Sequence, residues 1–340
     1  MAFFTRQLAT MLRSGVTLVQ AFDIVAAGAE KPSMANLVRD IRNDVSTGES
    51  FATALRRHPD QFDSLYCNLV DAGERAGATD TMLDRIATHR EKTEGLKSKV
   101  RKAMVYPIAV ICVALAVSGI LLVKVVPQFE QIFAGFGAEL PAATRFVIAV
   151  SESAQAWWLP VLAAAAALLA GTLAARRSRS ATEWMDRIVL RLPIIGGIAR
   201  KSAVARCART MATTISAGVP LIEALNSVAA SAGNSVFARE MRRVRDEVAG
   251  GRQISAAMRN GGVFPVIVVQ MIAVGEESGT LDDMLDRSAV HYEAQVDNAV
   301  EGLTSLLEPM IMSVLGVLIG GLVIAMYLPI FQLGAVAGGI

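Results

Sequence analysis

Three windows that are almost free of charged side chains constrain the fold of this chain most strongly. They cover residues 107–126, 157–175 and 309–328, and 47 of their 59 residues are apolar. Lys124 is the one charged residue among them. A helix rises about 1.5 Å per residue, so about 20 apolar residues cross the hydrocarbon core of a bilayer, which is about 30 Å thick. The windows therefore predict three transmembrane helices.

The rest of the chain has the composition of a soluble protein. Apolar residues make up 53% of the 340 residues, and this fraction falls to about 47% without the three windows, which is ordinary for a globular domain. The chain therefore joins soluble domains to membrane-inserted helices.

Lysine and arginine residues predict the orientation of the chain, because positively charged flanks stay in the cytoplasm during insertion. Six basic residues lie in 90–102, one lies between the first two windows, and three lie in 176–179. We expect residues 1–105 and 176–307 in the cytoplasm, and the loop 127–156 and the tail 329–340 in the periplasm. The basic clusters at 97–102 and 176–179 also suit contact with anionic lipids.

The chain also contains an internal repeat that extends through the first and third windows. Residues 6–27 align with 209–230 with ten identities in 22, and residues 73–89 align with 275–291 with ten identities in 17. Each copy is a domain followed by one span, and the core of the second copy begins near residue 206. The middle window has no counterpart, so we expect it to return the chain to the cytoplasm.

A duplication with both copies in the same orientation argues against transporters built from inverted repeats. A small-solute transporter is the alternative from a different functional class. It would need polar side chains at the membrane midplane, where the windows offer mainly Ser118, Thr172 and Ser313.

Both copies have the apolar spacing of α-helices. In the first copy, a helix through Phe4 and Leu8 ends near Ser14 and Gly15, and further helices are predicted at 17–29, 32–47, 50–57 and 59–77. A sixth starts near residue 79 and continues toward the first window. Neither copy has an alternating β-branched run long enough for a strand. The predicted fold is an all-α membrane protein with two homologous cytoplasmic six-helix bundles and three transmembrane helices.

The chain carries no known catalytic motif. It lacks the GxxxxGK[ST] phosphate-binding loop, GxGxxG, HExxH and GxSxG. His89 recurs as His291, which favours duplicated helix packing over metal ligation, and Cys67, Cys112 and Cys207 lack the spacing of a metal or redox site. We predict no enzyme activity, no cofactor, no metal ion and no nucleic acid partner. Any nucleotide-driven work then belongs to another protein.

The Gly-Glu-x-x-Gly turns at 73–77 and 275–279 are the best-preserved element between the copies. One interpretation is structural, because glycine supplies a left-handed or closely packed backbone at a helix end. The other is an acidic edge for a protein partner or a cation. Its candidate residues are Glu74, Glu276, Glu277, Asp282 and Asp283.

Two further features concern the membrane segments. Glu308 stands at the start of the third window, where the helix dipole favours a carboxylate and where an ionisable group also suits a partner contact. Small residues at four-residue spacing allow close helix approach, either within the chain or between copies. They are Ala163, Ala167, Gly171, Gly316 and Gly320.

Five long stretches resemble the inner-membrane platform proteins of type IV pilus and type II secretion machines, the GspF/PilC family. They are FTRQLATMLRSGVTLVQAF from Phe4, VVPQFEQIFAGFGAELP from Val125, RLPIIGGIARKSAVAR from Arg191, VGEESGTLDDML from Val274 and LLEPMIMSVLGVLIGGLVIAMYLPIFQLG from Leu306. They occur in family order, and the second and last are closer to the pilus branch. Family members usually carry a further segment before the first motif, and its contacts are not carried over to this chain.

The resemblance implies a non-enzymatic platform whose cytoplasmic domains engage the hexameric pilus assembly ATPase or a retraction ATPase. It also implies contacts with pilin subunits, with other inner-membrane alignment proteins, and with further copies as a dimer or tetramer. A type II secretion platform, acting in pseudopilus assembly and protein secretion, is the alternative within the family. On this basis, charge reversal at Glu276 and Glu277 together is predicted to weaken ATPase coupling more than folding.

Overall fold

The computed structural model describes residues 1–128, 131, 142–175, 179–193 and 195–337. Every regular element among them is a helix, which confirms the all-α prediction for these residues. The first repeat contains α1 (Ala2–Arg13), α2 (Leu18–Ala27), α3 (Pro32–Ser46), α4 (Phe51–Arg56), α5 (Ser64–Ala76) and α6 (Thr79–Ile120), which continues into a π-helical turn (Leu121–Val125). Next come α7 (Ala142–Ala175) and α8 (Arg179–Arg191). The second repeat contains α9 (Ile195–Ser216), α10 (Leu221–Ser231), α11 (Ser235–Ala249), α12 (Ile254–Gly261), α13 (Val266–Ser278) and α14 (Leu281–Ala337).

The helix ends follow local sequence signals. α1 stops just before Gly15, whose φ is +85°, and α9 stops just before Gly218, whose φ is +76°. The end before Gly15 agrees with the prediction, and α9 ends at the equivalent position of the second copy. The fifth helix begins at Ser64 instead of near residue 59, because Asp63 caps it by accepting a hydrogen bond from the backbone N–H of Tyr66 at 2.9 Å.

Internal contacts divide the chain into two compact units. Unit 1 comprises Met1–Lys99 and Thr182–Ala299, and therefore holds the helical domain of each repeat without its following apolar segment. Each repeat has an aromatic pair in its core, Phe22 with Phe51 at 5.3 Å and Phe237 with Phe264 at 5.4 Å between ring centroids. Burying each such ring contributes about 1.5–3 kcal/mol, so these apolar cores hold the repeats together.

Unit 2 comprises Val100–Ala181 and Val300–Ile340. Within the described residues, Ile108–Gln128 and Leu281–Ala325 are the helical stretches found long and apolar enough to cross a membrane. The middle window lies on α7. The number of spans and their orientation stay predictions.

Some predictions fall outside the described residues. These are residues 129–130 and 132–141 of the loop 127–156, Arg176 and Arg177 of the second basic cluster, the end of the tail at 338–340, and the side chain of Glu308.

Candidate functional site: the Gly-Glu turns and the contact between repeats

The Gly-Glu-x-x-Gly turns connect α5 to α6 and α13 to α14. Gly77 and Gly279 end the preceding helices with φ values of +64° and +72°, a left-handed conformation that other residues rarely adopt. Gly73 is needed for another reason. A Cβ atom there would lie 2.8 Å from Cγ of Met82 and 3.1 Å from Cα of Thr79, so its absence lets α6 pack on α5. The glycines thus have the predicted structural role.

Glu74 and Glu276 reach from the turns to the short helix of their own repeat. The two carboxylate oxygens of Glu74 accept hydrogen bonds from the backbone N–H groups of Phe51 and Ala52 at 2.6 and 2.8 Å. Glu276 accepts the equivalent pair from the first two residues of α12 at 2.6 and 2.9 Å. A carboxylate in this position satisfies free N–H groups and is stabilised by the helix dipole. Both glutamates are therefore engaged inside their repeats.

Glu277, Asp282 and Asp283 lie exposed beside the second turn. Asp283 pairs with Arg287 one turn further along α14, at 3.1 Å. Asp282 and Asp283 also line a polar cleft of about 360 Å³ in unit 1. The position equivalent to Glu277 in the first repeat is Arg75. The predicted acidic edge is therefore more strongly developed in the second repeat.

One arginine in each repeat ties its first long helix to its last. Arg6 contacts Asp84 at 2.5 Å and Glu91 at 2.7 Å. Its counterpart Arg209 makes the same two contacts with an aspartate and a glutamate of α14, the second at 2.7 Å. The Arg209 side chain is 9% exposed, compared with 31% for Arg6. Burial lowers the pKa of Arg209, but the two carboxylates outweigh burial and the pKa is raised overall.

The two repeats pack against each other through different surfaces. α5 and α6 of the first repeat lie against α9 and α10 of the second. His89 Nε2 lies 3.2 Å from Thr210 Oγ1, and Arg85 donates to Ser216 Oγ at 2.7 Å. Val219 of the second repeat is buried in the core of the first. We call the α5–α6 surface the covering face and the α9–α10 surface the covered face.

His89 makes this contact sensitive to pH. Burial lowers its pKa to about 4, whereas an unfolded histidine has a pKa of about 6.5. The stability that neutral His89 provides is therefore complete above about pH 6.5 and is lost as the pH falls through 4. We predict that unit 1 loses up to about 3 kcal/mol of unfolding free energy over this range through His89. Thermal unfolding at pH 7 and at pH 4.5 measures the loss.

A matched control is provided by the repeat itself. His89→Gln is expected to flatten this part of the pH profile, whereas His291→Gln, at the exposed equivalent position, is expected to leave it unchanged. A pH profile that responds equally to both substitutions would contradict the assignment to His89.

Unit 2 contains the small residues that were predicted to allow close helix approach. Thr144 Oγ1 donates to the carbonyl of Ala325 at 2.6 Å, which joins α7 to α14. A Cβ atom at Gly171, Gly316 or Gly320 would meet no described atom within 4 Å. Ala163 and Ala167 are exposed. Among the described residues no atom lies close to these glycines. Their use in helix packing, within the chain or between copies, stays a prediction.

Sequence reasoning missed the role of α8. The carboxylate of Asp186 accepts a hydrogen bond from the backbone N–H of Ser235 at 2.7 Å, at the start of α11. Asp186 and Ser235 are 49 residues apart and no local motif links them, so the sequence could not reveal this hydrogen bond. The amphipathic pattern of residues 179–191 could have indicated a helix that packs on the second repeat, although not which residues it contacts.

Comparison with known proteins supports a duplicated architecture. The profile of the family described as "Type II secretion system (T2SS), protein F" matches the chain twice, over residues 4–127 and 207–329. The chain belongs to this family. The two matches cover each repeat with its following apolar segment and omit the middle window, as the repeat alignment predicts.

Individual relatives distinguish the branches of the family. The chain is 56% identical over 338 residues to the type IV pilus assembly protein PilC of Pseudomonas aeruginosa, which covers 99% of the chain and 90% of that protein. It is 52% identical to the type IV pilus assembly protein TapC of Aeromonas hydrophila, with 99% and 82% covered. It is 33% identical to the type II secretion system protein F of Aeromonas hydrophila, with 98% and 86% covered. These comparisons confirm the predicted pilus branch.

Proposed function

We propose that this chain is the inner-membrane platform of a type IV pilus machine. In this role it couples a cytoplasmic assembly ATPase to the extraction and polymerisation of pilin subunits, without catalysis of its own. The difference in sequence identity carries the proposal, since the chain is 56% identical to a pilus assembly protein over 338 residues and 33% identical to a secretion protein over 336 residues. A secretion platform is the weaker alternative for the same reason.

Two long helices provide a physical route for coupling. α6 and α14 each run without a break from unit 1 into unit 2. They also contact each other within unit 1, where Lys99 of α6 pairs with Asp297 of α14 at 2.6 Å. In the proposed role, α6 and α14 connect unit 1, which a partner would engage, to the apolar segments of unit 2. This arrangement suits a transmission element.

The proposal includes a topology and a set of partners. Three spans place both repeats in the cytoplasm, with 127–156 and 329–340 in the periplasm, because the basic residues flank the cytoplasmic ends. The ATPase meets the exposed acidic residues Glu277, Asp282 and Asp283. Pilin subunits and inner-membrane alignment proteins meet the membrane part, and anionic lipids meet the basic clusters.

Deletion of the gene is expected to abolish surface pili, because in the proposed role this chain is the platform on which pilin subunits are polymerised. Expression of the chain from a plasmid should restore pili, and electron microscopy or a shear assay measures them. The matched control is a strain that lacks the secretion platform, in which the same plasmid should not restore protein secretion. Normal piliation after a clean deletion, or restored secretion in the control strain, would contradict the proposal.

A further inference from the structure

A cavity of unit 1 lies where the covering face of the first repeat meets the covered face of the second. Its volume is about 370 Å³, which falls within the range of about 300–1,000 Å³ for small-molecule sites. The first repeat contributes Asp63, Arg90 and Thr93 to its wall, and the second repeat contributes Arg206. The cavity therefore exists only when both repeats are folded and in contact.

Arg206 is a half-buried guanidinium that pairs with no carboxylate among the described residues. Its Nε and Nη2 donate to the carbonyl of Ala232 at 3.2 and 3.1 Å, and its Nη1 donates to Ser202 Oγ at 3.0 Å. An arginine side chain has five N–H donors, so two remain for a ligand. Burial lowers the pKa of Arg206, whereas two carboxylates raise that of Arg209 on the same helix. A cation that has lost water without gaining a counter-ion is unfavourable until an anion pairs with it.

The backbone next to Arg206 makes room for its guanidinium. Gly233 has a φ of +70°, and a Cβ atom there would lie 2.6 Å from Nη2 of Arg206. A glycine is thus needed at this position for Arg206 to lie where it does. At the offset that relates 6–27 to 209–230, the first repeat has Phe3 in place of Arg206 and Glu30 in place of Gly233. The first repeat therefore has no equivalent of this arginine.

The other charged groups of the wall are paired with each other. Asp63 accepts from Nη2 of Arg90 at 3.0 Å with one carboxylate oxygen, and from the backbone N–H of Tyr66 at 2.9 Å with the other. His89 also lines the cavity, and burial lowers its pKa to about 4, so its ring is neutral at pH 7. The positive charge of Arg206 is thus left without compensation inside the cavity.

We propose that this cavity binds the phosphate group of a small molecule, with Arg206 as its principal ligand. The fork of a guanidinium matches the oxygens of a phosphate. The hydroxyl of Thr93 has no hydrogen-bond partner in the part of the chain that the structure describes, and it supplies a further donor from the other repeat. Donors from two repeats suit a tetrahedral group with four oxygens better than a planar carboxylate with two. The inference does not depend on the pilus function.

Thermal unfolding of the full chain in detergent tests the site. Inorganic phosphate replaces chloride at constant ionic strength, and its binding to the folded state is expected to raise the unfolding temperature in a saturable way. Arg206→Gln should weaken the apparent phosphate affinity about a hundredfold, because it removes the charge and the free donors. Arg200→Gln, exposed on the same helix, is the matched control and should leave the affinity unchanged. Phosphate also stabilises folded proteins in general, because it is excluded from their surfaces, and this part is the same in all variants.

Thr93→Val is a second test, because it leaves every contact of Arg206 in place. It should keep the native unfolding temperature in chloride and weaken the phosphate affinity about tenfold. Phosphate stabilisation that is not saturable, or that is equal in the native chain and in all three variants, would overturn the proposal. If Arg206→Gln does not fold, an unchanged affinity in Thr93→Val overturns it alone.

Two further arms identify the molecule that carries the phosphate. A nucleotide site should bind adenosine monophosphate more tightly than inorganic phosphate. A phospholipid headgroup in the cavity should abolish the phosphate-dependent shift when the chain is moved from detergent into phosphatidylglycerol nanodiscs. Equal binding of the two soluble probes, with the shift retained in nanodiscs, indicates free phosphate. Each of these results supports the site, provided that Arg206→Gln removes the effect on which it rests.

Discussion

Replacing Arg209 by alanine is expected to lower the unfolding free energy of unit 1 by about 3 to 5 kcal/mol. This is the usual cost of removing one partner of a buried ion pair. The side chain is 9% exposed and holds Glu293 at 2.7 Å together with Asp286. Its removal leaves Glu293 largely buried and without its cation, which is unfavourable because the charge is poorly solvated. Arg6→Ala removes the same contacts at 31% exposure, where a salt bridge contributes about 1 kcal/mol or less.

Each repeat contains a buried cysteine whose reaction with a thiol dye can measure how strongly each arginine stabilises its own repeat. Cys67 lies in the core of the first repeat and Cys207 in the core of the second. Burial raises the pKa of the Cys207 thiol to about 12, so it reacts only when the repeat opens. Heating detergent-solubilised protein with a thiol-reactive dye, in variants that keep only one of these cysteines, measures each repeat separately. Arg209→Ala should lower the Cys207 transition by about 10 °C.

The expected result for Arg6→Ala is a small shift of the Cys67 transition, by about 3 °C or less. Because the two arginines occupy equivalent positions with the same partner types, burial is the main variable between them. Similar small shifts for both substitutions would show that burial of Arg209 adds little to stability.

Replacing Glu276 by alanine has the second largest expected effect, a loss of about 2 to 4 kcal/mol. The substitution removes both hydrogen bonds to the start of α12, at 2.6 and 2.9 Å, and leaves those N–H groups without their acceptor. Glu276→Gln keeps one acceptor oxygen and should fall between alanine and the native residue. Glu277→Ala, at the exposed neighbouring position, should change stability by about 0.5 kcal/mol or less. The Cys207 transition measures all three variants.

Because Glu276 caps α12 whereas Glu277 is exposed, the acidic edge should be tested at Glu277 alone. Charge reversal at Glu276 and Glu277 together combines a folding defect with any loss of contact. Glu277→Lys alone should keep the Cys207 transition and weaken binding to the assembly ATPase. A photoreactive residue at Glu277 should cross-link to the ATPase, and one at Arg75, the equivalent position in the first repeat, is the control. Equal cross-linking from both positions, or none from either, would count against the edge.

Much of the fold could be predicted because its signals are local. A helix end such as that before Gly15 depends on a few neighbouring residues, and the predicted stop is confirmed. The duplication is visible because two stretches of one chain can be compared directly, and the family profile matches both. The start of α5 was predicted wrongly because two residues could begin this helix, the proline at residue 59 and the capping residue Asp63. Apolar spacing alone does not show which of them does.

The candidate site could be predicted only in part. The Gly-Glu turns stood out through their repetition, but the sequence left the glutamates with two interpretations. Glu74 meets its partners on α4 at a separation of 22 and 23 residues. The contact of His89 with Thr210 spans 121 residues. No local pattern encodes such pairs, since they depend on how the helices pack.

The sequence by itself determined that the chain is helical, that it is duplicated, and that apolar segments interrupt its soluble parts. These properties follow from composition and periodicity, which act through neighbouring residues and through burial in any fold of this class. Only the tertiary structure decided that Glu74 and Glu276 cap helices, that Arg209 is buried while Arg6 is only half-buried, and that the repeats meet through unlike faces. Equivalent residues of the two repeats differ in burial because the repeats pack through unlike faces. This packing removes water from one copy of each face and leaves the other copy in contact with solvent.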